Sequence, residues 1–469
     1  MSRVIPTAIR SAIPCLVLGP NPPSLAMNSQ IPQEIVNAIV DNLSCKAVDR
    51  TSLLACTLVS QSFSGPARRH LFSTISIRWK QNKSVEAQVR QLLSMISSRS
   101  DLRFLVRSLL IEDLGHNRSN PSVARAMDDT SDLFNLLQAL TGVHSPLRAL
   151  YLYCYSTSTN LYTSWQDIGV QTRSALMSIF PQLTFLRLRE VREVPFTILK
   201  DMPLMETLEL CQVSLEGEDE KSTLCKLGRV DTIDSLRRVT SLRVDGGLSK
   251  LLEYSTAAGL DFPKMKLFRT LVSDSEDIHA VWNLTQKFDS MNSLEMKLYT
   301  DCSYMSHSPV DLGRLSHLQS LCIRLCPLRA SDNEALPHAF NLLYPPTRPT
   351  SLSTLKIVLS SPYILSSAED FLPEQIGSSW AVLHPEKLLD VHPTLTSVEV
   401  EVDLSQSAVK WTHAPNVRPP SKAQVLSSLT KRLQKSIFGS EDPISSSSSF
   451  EKPMNIITFS LKAPGCLND

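Results

Sequence analysis

The chain has 469 residues, which is long for one compact domain but suits an elongated repeat domain. Its apolar content of 42% and charged content of 20% are typical of a folded protein rather than a disordered chain. Lys and Arg total 47 and Asp and Glu total 46, so the net charge is +1. This balance gives no bulk attraction to nucleic acid or to an anionic membrane, and we expect neither as a partner.

The ten cysteines are scattered and include no C-x-x-C pair, which is typical of free thiols in a reducing compartment. We therefore expect a cytoplasmic or nuclear protein. No apolar run approaches the roughly 20 residues that span a bilayer. Residues 1–30 are basic, as in an organelle targeting segment, but their five prolines would break its helix. We expect a disordered tail over these residues.

Residues 31–77 predict a module of three short helices. Pro32 is tolerated in the first turn of a helix, and Ile35, Ile39 and Leu43 then recur at a spacing of four as one apolar stripe. The stretch 53–59 is apolar nearly all round, so we expect the second helix to be buried on several sides.

A third helix is predicted from Arg68 to Leu71, after a break at Ser64-Gly65-Pro66. Three helices in about forty residues cannot bury this much apolar surface by themselves. The predicted module therefore needs either the later chain or a partner to cover the remainder.

In order and spacing, these residues resemble the F-box family. The resemblance rests on Ile-Pro-x-Glu-Ile at 31–35, where the family usually has Leu-Pro, and on Leu-Leu-Ala-Cys-Thr-Leu-Val-Ser at 53–60. Phe63 follows at a position where Trp is commoner. The ending at 68–77 is similar to a variety abundant in mushroom-forming fungi. The match covers roughly a tenth of the chain.

The resemblance implies that the chain docks onto a Skp-family adaptor and, through it, a cullin and a RING subunit. It would then be the substrate receptor of an SCF-type ubiquitin ligase, with no chemistry and no cofactor of its own. The residues expected to contact the adaptor, or to form the core that supports the contact, are Ile31, Pro32, Ile35, Ile39, Leu53, Leu54, Val59 and Phe63.

A linker helix is predicted within 78–103, because Val85, Val89 and Ile96 recur at helical spacing. An apolar-x-x-apolar-x-apolar motif then appears within 104–111. Further copies of it begin at Leu147, Leu183, Met205, Val239, Met291, Leu318, Leu352 and Leu395. Segments of helical character lie between the copies, for example Ser174–Ile179, Val194–Lys200 and Ile278–Phe288.

This pattern is typical of leucine-rich repeats, each with one short strand and a helical return. Because the spacing of the copies ranges from about 22 to over 40 residues, we predict an irregular solenoid over 104–438. The predicted fold class is α/β, a three-helix F-box followed by this solenoid. A doubly wound α/β domain is the structural alternative. Residues 439–453 are serine-rich and expected to be disordered, and 454–469 predict a terminal strand and tail.

Recognised catalytic motifs are missing from the sequence: it has no nucleophile elbow, phosphate loop, dinucleotide fingerprint or H-E-x-x-H. The densest group of metal-ligand side chains is Cys302, His307, His317, Cys322 and Cys326. These residues lack the paired spacing of structural zinc sites, so we expect ordinary thiols and no metal. A hydrolase or transferase without a known motif is a third functional alternative.

Target binding is predicted on the sheet face opposite the core, because residues between the strand leucines point there. These residues are Tyr151, Arg187, Glu209, Arg243, Lys297, Arg324, Lys356 and Glu399, and we expect one continuous surface of mixed charge. Inserted loops at Leu215–Lys226 and Ser331–Pro349 are the competing site.

The main functional alternative is a leucine-rich-repeat interaction scaffold with no ligase role. Its helical start would be an N-terminal cap, which a solenoid needs. The two hypotheses differ in the stripe formed by Ile35, Ile39 and Leu43. A cap would bury this stripe, whereas a docking module would leave part of it exposed.

Overall fold

The protein is described by a computed structural model that divides into two compact units, between Leu71 and Phe72. The residues that the structure describes are 31–44, 50–78, 85–112, 131–142, 145–154, 163–216, 238–257, 262–298, 310–326, 340, 342–344, 350–360, 383–403, 427, 430, 431, 437 and 457–462. The disorder predicted for 1–30 and 439–453 lies outside these residues.

The helical unit, up to Leu71, has a small core shared by three helices. They are α1 (Gln33–Ser44), α2 (Arg50–Val59) and α3 (Gln61–Ser73). The buried residues of this core are Val36, Val40, Leu53 and Ala67, against which Leu43, Cys56, Phe63 and Leu71 pack. His70 on α3 is hydrogen-bonded to Asp41 on α1 at 2.6 Å, which joins the two helices at their surface.

The helix break predicted at Ser64-Gly65-Pro66 is wrong, because α3 continues through all three residues. Pro66 has no N–H, so the carbonyl of Ser62 loses the donor that an α-helix would supply. The side-chain amide of Gln33 donates to that carbonyl at 3.1 Å instead. A hydrogen bond from α1 therefore replaces the one that the proline removes from α3.

The sheet unit, from Phe72 onwards, contains a twelve-stranded sheet in which each strand pairs in parallel with its neighbours. Its strands are β1 (Thr74–Arg78), β2 (Ser108–Glu112), β3 (Ala149–Tyr153), β5 (Phe185–Arg189), β8 (Thr207–Cys211), β10 (Ser241–Asp245), β11 (Leu267–Val272), β12 (Ser293–Leu298), β13 (Ser320–Leu325), β14 (Thr354–Ser360), β15 (Ser397–Asp403) and β16 (Ile457–Lys462). They lie side by side in chain order. A doubly wound sheet would instead reverse its strand order at a switch point, so that alternative is wrong for these strands.

Short strands and helices connect the strands of the sheet. The strands form two pairs: β4 (Thr163–Ser164) with β6 (Val191–Arg192), and β7 (Val194–Pro195) with β9 (Leu215–Glu216). The α-helices are α4 (Val85–Ser98), α5 (Ser100–Arg103), α6 (Ser131–Ala139), α7 (Val170–Ile179), α8 (Leu248–Ala257), α9 (Ser275–Thr285) and α10 (Pro385–Val391). Short 3-10 helices cover Trp165–Asp167, Phe180–Gln182, Phe196–Asp201 and Leu312–Arg314. The helix predicted over Val194–Lys200 is thus a short strand followed by a 3-10 helix.

One continuous core lies between the sheet and its helices, with apolar residues of nearly every strand buried in it. Side chains along the strands alternate between buried and half-buried, for example in β3, β10 and β12. Each apolar-x-x-apolar-x-apolar motif supplies two buried residues inside the strand and one just before it. The second unit is therefore an α/β repeat fold, as the recurrent motif predicts.

Strand β11 is a repeat strand that the apolar-x-x-apolar-x-apolar motif does not predict. Its sequence places Met265, Phe268 and Thr270 at the three motif positions, and the polar threonine breaks the apolar pattern. Thr270 is nevertheless buried, and its hydroxyl donates to the carbonyl of Val244 at 2.9 Å. A buried hydroxyl is tolerated when its donor is satisfied in this way.

Candidate partner-binding surfaces

An exposed apolar patch covers the outside of the helical unit. We define it by Ile31, Ile35, Ile39, Leu54, Leu58 and Val59, whose exposed fractions range from 42% to 87%. On α1, Val36 and Val40 turn into the core, and Ile35 and Ile39 one position earlier turn outwards. The apolar stripe of α1 is wider than the small core can cover.

The eight predicted adaptor residues fall into two groups. Six are exposed and available to a partner: Ile31, Pro32, Ile35, Ile39, Leu54 and Val59. The other two support them from inside, because Leu53 is buried and Phe63 packs half-buried against the core. The structure thus separates exposed from buried residues within a set that the sequence pattern does not divide.

Leu58 is the patch residue that the predicted set omits, and its exposed fraction of 87% is the largest in the patch. It follows Leu54 by four residues on α2, so helical periodicity alone places both on one face. The burial of α2 on several sides, expected from its composition, does not occur among the residues that the structure describes. Among the described residues of α2, Leu53 alone is buried.

A second candidate surface is the open face of the sheet, opposite the core. Strand register arranges its side chains in rows that cross the sheet. The central row contains Ser76, Leu110, Tyr151, Arg187, Glu209, Arg243, Arg269, Glu295, Cys322, Lys356, Glu399 and Thr458. The next row, two residues later in every strand, contains Arg78, Glu112, Tyr153, Arg189, Cys211, Asp245, Leu271, Lys297, Arg324, Val358, Glu401 and Ser460.

Six of the eight predicted target-binding residues share the central row: Tyr151, Arg187, Glu209, Arg243, Lys356 and Glu399. Lys297 and Arg324 lie on the same face but in the next row, because the motif centres of β12 and β13 are Glu295 and Cys322. Arg269 is a central-row residue that the prediction omits, because Thr270 breaks the apolar motif of β11. The predicted inserted loops fall mostly outside the described residues.

Ion pairs neutralise the open face over the last strands. Lys356 lies 2.6 Å from Glu401 and 3.1 Å from Glu399. Burial opposes the charge of Lys356, but its hydrogen bonds to these two carboxylates outweigh burial and raise its pKa. Arg324 lies 3.4 Å from the carboxylate of Asp403, whose side chain is almost fully buried. These charges are satisfied within the chain.

Aromatic rings and one guanidinium occupy the open face over β3 and β5. The rings of Tyr151 and Phe185 are 4.7 Å apart, and Tyr153 packs edge-on to Tyr151 at 6.5 Å. The guanidinium of Arg187 lies over the rings of Tyr151 and Phe185, at 5.7 and 5.9 Å from their centroids. It also donates to the hydroxyl of Tyr153 at 3.0 Å and pairs with Glu209.

The cysteines of the open face are poor nucleophiles. Burial raises the pKa of both Cys211 and Cys322 to about 11, so both thiols stay protonated at neutral pH. Within the described part of the chain, no three His, Cys, Asp or Glu residues are grouped so that they could hold a metal ion. Of the group singled out in the sequence, Cys302 and His307 lie outside that part.

Comparisons with known proteins add little to these observations. No protein-family model matches the chain, and no curated protein matches it. Among solved structures, the chain is similar to one described as the crystal structure of the Rad7 and Elc1 complex in yeast, with 11% identity and a TM-score of 0.31. The match covers 82% of this chain and 91% of the other. A superposition this loose carries no argument, so the fold assignment rests on the sheet itself.

None of the helices in the described ranges combines the length and the apolar character needed to cross a membrane.

Proposed function

We propose that this chain is the substrate receptor of an SCF-type ubiquitin ligase. Its helical unit would dock a Skp-family adaptor, and through it a cullin and a RING subunit. The open face of its sheet would hold a target protein. The chain would perform no chemistry itself and would act by raising the effective concentration of the target beside a ubiquitin-charged enzyme.

The observation that carries this proposal is the exposure of Ile35 and Ile39, at 51% and 42%. A helix that only capped a solenoid would bury this stripe. Here α1 keeps part of it outside, and Leu54 and Leu58 on α2 add to the same exposed patch. Several large apolar side chains left exposed on two neighbouring helices are a candidate site for a protein partner.

The F-box resemblance supplies the identity of the partner. The Ile-Pro-x-Glu-Ile opening lies at the start of α1, and the Leu-Leu-Ala-Cys-Thr-Leu-Val-Ser stretch forms most of α2. Both segments contribute residues to the exposed patch, and the second also supplies Leu53 to the core beneath it. An adaptor with an apolar groove would cover the patch, as helix-in-groove complexes do.

Co-expression with a Skp-family adaptor from a mushroom-forming fungus tests the proposal. The wild-type chain should co-purify with the adaptor, and the double variant Ile35→Asp/Leu54→Asp should not. Both residues are exposed, so the substitutions leave the core of the helical unit intact. Val170→Asp is the control, because Val170 is an even more exposed apolar residue, at 70%, and lies on α7 of the sheet unit.

A wild-type chain that folds and fails to co-purify would contradict the proposal. Equal loss of binding in the Val170→Asp control would also contradict it, because the effect would then not be specific to the patch. If the folded wild-type chain does not bind the adaptor but its sheet face binds other proteins, the scaffold alternative replaces the ligase proposal.

A further inference from the structure

The open face differs between its two ends. Over β14 and β15 it carries Lys356, which forms ion pairs with both Glu399 and Glu401. Over β3 and β5 it carries three aromatic rings around Arg187. We call Tyr151, Tyr153, Phe185 and Arg187 the aromatic–arginine patch.

Phe185 is an unusual residue at its position in the sheet. The row before the central row contains Thr74, Ser108, Ala149, Phe185, Thr207, Ser241, Leu267, Ser293, Ser320, Thr354 and Ser397. Eight of these eleven residues are Ser or Thr, so the repeat itself needs only a small polar side chain there. A half-buried Phe at this position, stacked on Tyr151, adds apolar surface that the fold does not require.

The composition of the patch is typical of binding hot spots. Tyr and Arg are enriched where a few residues carry most of a binding energy. Tyr offers a large, rigid contact surface at a low cost in conformational entropy. Arg187 is held by the Tyr153 hydroxyl and by Glu209, so its flat guanidinium is already oriented and its charge already balanced. The patch itself therefore favours an apolar group rather than an anion.

Exposed positive charge lies where β2 and β3 begin. Arg107 and Arg148 directly precede β2 and β3, are exposed, and are joined by a backbone hydrogen bond from the Arg148 N–H to the Arg107 carbonyl at 2.9 Å. The Phe185 N–H donates to the Arg148 carbonyl at 3.0 Å, so the backbone of Arg148 lies directly beside that of Phe185 in the patch.

Neither arginine forms an ion pair with any residue that the structure describes. The guanidinium of Arg148 is oriented by two carbonyls of its own turn, each at 2.9 Å. Among the residues that directly precede the strands of the sheet, the acid nearest to these arginines is Glu206, two strands beyond Arg148. A ligand carboxylate could therefore pair with either arginine without displacing an ion-pair partner among the described residues.

From this juxtaposition we infer that the aromatic–arginine patch binds an acidic peptide segment that carries an apolar side chain. The apolar side chain packs on Tyr151 and Phe185, and the acids pair with Arg107 and Arg148. The inference deepens the proposed function, on which it rests for the role of target, by naming the chemistry of the target segment.

Selection from a library of random short peptides displayed on phage, with the full-length chain as bait, tests the inference. Recovered peptides should carry net negative charge and at least one large apolar residue. Recovery of these peptides should fall at least about tenfold with Tyr151→Ala and with Arg148→Glu, and should weaken at high salt. The urea midpoint of both variants, followed by tryptophan fluorescence, should match that of wild type, which shows that the sheet unit folds. Co-purification with the adaptor should also stay intact, which separates this test from that of the proposed function.

Lys266→Glu is the matched control for Arg148→Glu. Lys266 is exposed and directly precedes β11, as Arg148 directly precedes β3. Its substitution reverses the charge in the same way, but three strands away from Phe185. It should leave recovery unchanged. The inference is overturned if the wild-type chain enriches no peptide, if the enriched peptides are basic, or if Tyr151→Ala recovers them as well as wild type does.

Discussion

The two units of this chain differ in how much of their apolar side-chain surface they bury. The sheet unit buries the leucines of its motif in one continuous core, and its open face pairs most of its own charges. The helical unit leaves Ile35, Leu54 and Leu58 outside a core of only four buried residues. A chain that can cover its apolar surface so thoroughly in one unit, and does not in the other, points to a partner for the second.

Leu53 and Leu54 test this difference most directly, because they are adjacent in sequence and one is buried while the other is exposed. Leu53→Ala removes a buried side chain from a small core and should cost about 2–4 kcal/mol of local stability. Leu54→Ala removes an exposed one and should cost less than about 0.5 kcal/mol. Hydrogen exchange of the α1 and α3 amides measures both. Similar protection in the two variants would mean that the helical unit lacks the core described above.

The ion pairs of the open face permit a second comparison, between half-buried and exposed charges. Arg324→Met leaves the almost fully buried Asp403 carboxylate without this cation and should cost about 1–3 kcal/mol. Lys250→Met removes a cation from an exposed pair with Glu253 on α8 and should cost less than about 0.5 kcal/mol. Urea unfolding followed by tryptophan fluorescence compares the two. Equal midpoints would show that the sheet charges are not structural.

A buried histidine makes the sheet unit sensitive to acid. His392 is fully buried, and its Nε2 lies 2.7 Å from the carbonyl of Leu343. Burial lowers the pKa of His392 below its usual 6.5, against a smaller opposing effect of that carbonyl. Because the folded-state pKa is below the unfolded one, the stabilisation is complete above pH 6.5 and is lost as the pH falls below it.

Thermal melting between pH 7.5 and 5.5 tests this expectation against a His392→Gln variant, which cannot gain the charge. The wild-type melting temperature should fall more steeply with acid than that of the variant. Parallel curves would mean that His392 does not titrate differently in the folded and unfolded chains.

The strands of the sheet could be predicted from the sequence because a buried leucine at every second position is a local signal. The features that escaped prediction depend on distant residues. The hydroxyl of buried Thr270 donates to the carbonyl of Val244, 26 residues away. In α3, the carbonyl of Ser62 that Pro66 leaves without a donor accepts from Gln33, 29 residues away. No local pattern contains either partner.

The candidate sites were predictable to a similar degree. Period-two alternation placed all eight predicted target residues on the open face, but the row of Lys297 and Arg324 was off by two residues because the motif centres were misread. Which apolar residues of the helical unit face outwards depends on the packing of three helices. Leu53 and Leu58 therefore look alike in the sequence, although Leu53 is buried and Leu58 is almost fully exposed.

The most direct measurement of the central claim uses Leu58, the most exposed residue of the apolar patch. The dissociation constant of the full-length chain for a Skp-family adaptor should be measured by calorimetry for wild type and Leu58→Asp. We expect tight binding by wild type and at least about a hundredfold weaker binding by the variant, with unchanged hydrogen-exchange protection of α1 and α3. Equal dissociation constants, or no heat of binding with the folded wild-type chain, would contradict adaptor docking through this patch.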